Sequence, residues 1–136
     1  MKKSLATIAV TVMLLAGCVS VKGNVSVEDN SSKSAAAFRH VVLFKFKDGT
    51  SDADIQKVQR AFLDLKKGID TIRDIESGKD VSSENLQQGF THCFIVTFDN
   101  GAGRDTYLTH PVHQDFVKLA GPFLDKALVI DFVPVR

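Results

Sequence analysis

Four apolar runs of period two, two apolar stripes of helical period, and the order in which they alternate predict an α+β domain. The expected order is strand, helix, strand, strand, helix, strand. The first run, FRHVVLFKFK (residues 38–47), sets His40, Val42, Phe44 and Phe46 on one face and Val41 and Leu43 on the other. The turn DGTSDAD follows, with Ser51 and Asp54 at capping-box spacing. Ile55, Val58, Phe62, Leu65 and Ile69 then recur at helical spacing, and Gly68 stands where a C-terminal cap belongs, so residues 52–67 read as an amphipathic helix. TIRDIESGKDV (71–81) is a weaker strand resting on Ile72 and Ile75, and SSENLQQG is a polar connection. FTHCFIVTF (90–98) is the clearest strand, rich in β-branched and aromatic residues. DNGAG turns the chain into a second helical region, 103–120, broken near His110-Pro111. KALVIDFVPV (126–135) is the last strand, ended by Pro134.

A right-handed crossover is expected to lay the first and third strands side by side and parallel, with both helices on one face. This is the ferredoxin-like split βαβ arrangement. The first and third strands are apolar on both faces, and two helices cover only one. An identical sheet would cover the other, so a homodimer is expected.

The 136 residues suffice for one domain. A net charge of +1, with no basic stripe, gives no reason to expect a nucleic-acid partner. Residues 1–17 read as a signal peptide: Lys2 and Lys3 precede the apolar run LATIAVTVMLLA (5–16), which is too short for the roughly 20 residues of a membrane span. The run ends in Leu15-Ala16-Gly17-Cys18, which resembles a bacterial lipobox with Cys18 as the lipidated residue. Val19 follows, so an outer-membrane lipoprotein facing the periplasm is expected. Residues 18–37 then form the lipidated cysteine and a tether, and the domain occupies 38–136. With Cys18 acylated, Cys93 has no disulfide partner, and the fold must rest on packing or oligomerisation.

Chemistry concentrates in TYLTHPVH (106–113). Pro111 suits a first helical position, which puts His110 at the cap and His113 in the first turn. A helix start and apolar walls disfavour the imidazolium, so His113 is expected to be neutral near pH 7, as a general base must be. Tyr107 lies at the end of the preceding helical piece and either hydrogen-bonds His113 or orients a substrate carbonyl. His40 and His92 are each the third residue of their strands. In a parallel pair they would meet, and all four histidines would converge on one cavity. No carboxylate or cysteine accompanies the histidines at ligand spacing, so no metal centre is expected.

HVVLFKFKDG, GKDVSSENLQQGFTH, TYLTHPVHQDF and LDKALVIDFVP resemble, in order, segments of stress-responsive dimeric α/β-barrel (Dabb) domains. The resemblance implies a ferredoxin-like fold, sheets paired into a barrel, and no organic cofactor. In a plant polyketide cyclase of that family, a tyrosine and the second histidine of the HPxH segment carry an aldol-type cyclisation. The matching positions are Tyr107 and His113. The resemblance also places His40, His92, Val42, Phe44, Phe62, Leu63 and Phe94 around the cavity. Phe62 and Phe94 differ from the cyclase's residues, which argues against the same substrate. A lipoprotein facing the periplasm would not meet coenzyme A-linked polyketides either. The expected function is binding of a small apolar or carbonyl-containing ligand. The alternative is a cofactor-free lyase, cyclase or isomerase with His113 as base and Tyr107 as oxyanion donor.

Overall fold

The computed structural model describes residues 37–135. Cys18, the signal peptide and nearly all of the tether lie outside the described residues. Strand β1 (Phe38–Phe46) leads to helix α1 (Asp52–Gly68), then β2 (Asp74–Lys79) and β3 (His92–Phe98). Helices α2 (Gly101–Thr109) and α3 (Pro111–Ala120) follow, and a 3₁₀ turn (Gly121–Phe123) enters β4 (Leu124–Phe132). The four strands form one sheet in the order β2-β3-β1-β4. Among the described residues no helix is long and apolar enough to cross a membrane.

The elements form for the local reasons expected. Ser51 caps α1, its Oγ accepting the Asp54 N–H at 3.1 Å. Gly68 is the last helical residue, with Ile69 at the cap. A Cβ at Gly68 would lie 3.2 Å from Val112 Cγ1, so the missing side chain lets α3 approach α1. Asn100 caps α2, its Oδ1 accepting the Gly103 N–H at 3.1 Å. β2 is shorter than the expected 71–81 because little holds it beyond its pairing with β3. Ile75 is its only partly buried apolar side chain.

One topological expectation is overturned. β1 and β3 are neighbours, but they run antiparallel, with His40 opposite Val96 and Phe44 opposite His92. The helical crossover from β1 leads into β2, and β2 then pairs antiparallel with β3. A strand parallel to β1 followed by an antiparallel step leaves β3 antiparallel to β1. The helical crossover thus joins β1 to β2, and not to its neighbour β3.

Helices α1, α2 and α3 lie on the face carrying His40, Val42, Phe44, Phe46, Phe94, Val96 and Phe98, all buried. Phe62 of α1 stacks on Phe94, with ring centroids 4.1 Å apart, and Phe44 and Phe116 complete an aromatic cluster. Truncating one such fully buried phenylalanine costs about 3–5 kcal/mol. Surface ion pairs such as Lys67–Asp64 and Lys118–Asp115 contribute about 0–1 kcal/mol each. Packing on this face therefore dominates stability. Among the described residues no helix lies over the opposite face, which has Val41, Leu43, Cys93 and Ile95 at its centre and Leu128 and Ile130 towards the edge.

Candidate functional site

The break between α2 and α3 shapes the site. His110 ends α2 and caps α3, its Nδ1 accepting the Val112 N–H at 3.2 Å, with Pro111 as the first helical residue. The chain changes direction there, so the side chain of Tyr107, from the last turn of α2, meets that of His113, from the first turn of α3. Their ring centroids are 4.2 Å apart. Tyr107 is buried, and the ring of His40 also lies near it, at 5.5 Å. Two imidazoles thus neighbour one phenol.

These three side chains line the polar end of a cavity of about 350 Å³ between the helices and the sheet. Val42, Phe44, Phe62, Phe116, Ala120 and Leu124 supply much of its apolar remainder. The size is at the lower end of ordinary small-molecule sites.

Each imidazole is held at Nδ1 by a different partner. His40 Nδ1 lies 2.6 Å from Asp131 Oδ1, the residue directly opposite it on β4. Asp131 Oδ2 accepts from Arg104 Nη1. His113 Nδ1 lies 3.2 Å from the Leu108 carbonyl, which requires Nδ1 to carry the proton and leaves Nε2 as the basic nitrogen. Burial lowers the His113 pKa below 6.5. The Leu108 carbonyl opposes that shift and the charge of His40 adds to it. The direction matches expectation, and desolvation by the apolar surroundings, one of the expected causes, is the largest. Burial also pushes the Tyr107 phenol far above its ordinary range, so it remains a hydrogen-bond donor at any physiological pH.

Of the residues expected at the cavity, His40, Val42, Phe44, Phe62, Tyr107 and His113 come together. The other four do not line it. His92 sits opposite Phe44, four register positions from the partner of His40, because β1 and β3 are antiparallel. Its Nδ1 meets Thr91 Oγ1 at 2.9 Å, its ring packs on Phe46, and its Nε2 is buried without a partner. Phe94 is fully buried beneath Phe62 and Phe44. Leu63 is 39% exposed, one helical position off the buried stripe. His110 is spent on the cap. Convergence of all four histidines is therefore replaced by a pair, His40 and His113.

Sequence reasoning missed Asp131 and Arg104. Asp131 stands in a run, KALVIDFV, that offered one visible signal: a lone carboxylate among apolar residues of a strand. Pairing it with His40 needed the β1–β4 register. Among the described residues no grouping of three or more His, Cys, Asp or Glu side chains is placed to hold a metal ion.

Residues 38–134 match the family described as Stress responsive A/B Barrel Domain. The chain is 41% identical over 96 residues to the Arabidopsis thaliana stress-response A/B barrel domain-containing protein HS1, covering 71% of this chain and 88% of that protein. It is 32% identical over 98 residues to olivetolic acid cyclase of Cannabis sativa, covering 72% and 97%. The fold is also that of a crystal structure of a dimeric ferredoxin-like protein from Thermobifida fusca, with a TM-score of 0.63 and 20% identity over 72% of this chain and 91% of that one.

The pKa shifts define a pH window. Burial lowers the pKa of both His92 and His113 from 6.5, so between their folded values and 6.5 the unfolded chain binds more protons than the native one. Stability from this source is fully present above 6.5 and is lost as pH falls below it towards the folded values. Urea midpoints should fall between about pH 7 and about pH 5, and His113→Gln should flatten part of that slope. An NMR titration of His113 should give a midpoint below 6.5, and a midpoint above it would contradict the desolvated placement.

Proposed function

The chain belongs to the stress responsive A/B barrel (Dabb) domain family, and from that premise we propose that its cavity binds a small carbonyl compound and moves a proton on it without a cofactor. The reaction would be that of a lyase, cyclase or isomerase. The observation that carries this reading is the trio His40, Tyr107 and His113 at one end of an otherwise apolar cavity. His113 has its Nδ1 proton committed to a carbonyl and its Nε2 lone pair uncommitted. Tyr107 keeps its proton. A ligand carbonyl oxygen accepting from the Tyr107 hydroxyl would have its adjacent C–H bond polarised. His113 Nε2 would take that proton while the phenol stabilises the enolate oxygen, and would return it after bonds rearrange. His40, braced by Asp131, is the second group able to exchange a proton with the ligand. Similarity to olivetolic acid cyclase supports chemistry of this kind, while the closed wall formed by Phe62 over Phe94 argues for a different substrate.

Simple binding of the same class of ligand is the second reading, favoured by the largely apolar lining. The two separate at His113. If the cavity catalyses, His113→Ala should reduce turnover of a carbonyl substrate by about 10²–10⁴ while binding survives, and Tyr107→Phe should cost about 10²–10³. If wild type binds a panel of ketones and aldehydes, transforms none, and loses only modest affinity in His113→Ala, the catalytic reading is wrong.

We also propose that the protein is a homodimer joined through the sheet face that, among the described residues, no helix covers. The exposed apolar row and the dimeric state of the Thermobifida fusca protein support this. A soluble fragment beginning near residue 36 should sediment at twice its chain mass, and a monomer at micromolar concentration would refute the proposal.

The lipobox-like segment Leu15-Ala16-Gly17-Cys18 supports a third proposal, anchorage to the outer membrane through lipid on Cys18, with the domain facing the periplasm. Cys18→Ser should release the protein from membranes or stall its maturation. Normal processing and retention of that variant would refute the anchor.

A further inference from the structure

Arg104 reaches the polar end of the cavity from α2. Its Nη1 donates to Asp131 Oδ2, and its Nε donates to Asp105 Oδ1 at 2.9 Å. Its guanidinium lies over the Phe38 ring, 5.1 Å from the centroid. Asp131 Oδ1 holds His40 Nδ1 at 2.6 Å. The charges at this end are therefore one guanidinium against two carboxylates. Protonating His40 makes it two cations against two carboxylates. In neither state is a cation left over for an incoming anion, and His113 is a desolvated base rather than a cation.

We propose that the Arg104–Asp131 pair makes this cavity selective for uncharged ligands, so that a neutral carbonyl compound enters and a carboxylate of the same size is rejected. The inference rests on reading the cavity as a carbonyl site and adds the charge class of what it accepts. A carboxylate would leave water for a site already facing Asp131, losing hydration without gaining a free cation. A neutral carbonyl loses far less hydration and gains the Tyr107 donor. Asp131 is thus the discriminating residue, and Arg104 sets how strongly it discriminates.

The test is calorimetric titration of wild-type protein near neutral pH with hexanamide and with hexanoate, a pair matched in size. Hexanamide should bind at least about tenfold more tightly. Asp131→Asn frees Arg104 and should raise hexanoate affinity by about tenfold or more, a gain that loss of folding cannot produce. Arg104→Gln leaves Asp131 uncompensated and should weaken hexanoate further. Wild-type hexanoate binding equal to or tighter than that of hexanamide, or an unchanged hexanoate affinity in Asp131→Asn, overturns the selectivity and leaves the carbonyl-site reading standing. If neither probe perturbs the NMR signals of His40 and His113, the carbonyl-site reading falls and the selectivity falls with it.

Discussion

The pairing of β1 on both of its edges is the constraint on which the rest depends. β1 lies between β3 and β4, antiparallel to each, and its alternation sends His40, Val42, Phe44 and Phe46 under the helices. A one-residue slip would turn that row to the other face and remove the core. The same register sets Asp131 opposite His40 and His92 opposite Phe44. One end of the sheet thereby becomes a carboxylate–imidazole pair and the other an aromatic plug. The polar end joins two sources: strand register brings His40 to Asp131, and the local break at His110-Pro111 brings Tyr107 to His113.

The two imidazoles at that end differ by the group that holds each Nδ1. A carboxylate holds His40, whereas a backbone carbonyl fixes the tautomer of His113 without supplying a full counter-charge. Burial then decides the state of His113 and holds it neutral. Tyr107, buried beside both and kept protonated by desolvation, adds a hydrogen-bond donor.

The aromatic cluster limits the space around these groups. Phe62 stacked on Phe94 closes the region behind Phe44, so the cavity extends towards Phe116, Ala120 and Leu124 instead. Small residues matter at two close approaches. Gly68 admits Val112 and so seats the start of α3, while Gly89, at φ +84°, turns the loop into β3 where a Cβ would strike the Lys45 stem at 2.8 Å. The first of these bears on function, because α3 carries His113.

Local order was legible in the sequence because it depends on neighbours along the chain. The alternation of FRHVVLFKF, the Ser51 cap, the stripe Val58-Phe62-Leu65 and the His110-Pro111 break each state a backbone preference within a few residues. The Tyr107–His113 contact followed from the same local break. Strand direction, the separation of His92 from His40, the burial of Phe94 out of reach of the cavity and the His40–Asp131–Arg104 array were decided only by tertiary structure. The reason is physical: β-ladder hydrogen bonds join residues as far apart as position 40 and position 131, and their register is set by how the whole sheet packs against α1, α2 and α3. No short-range pattern encodes which carboxylate will stand opposite which histidine.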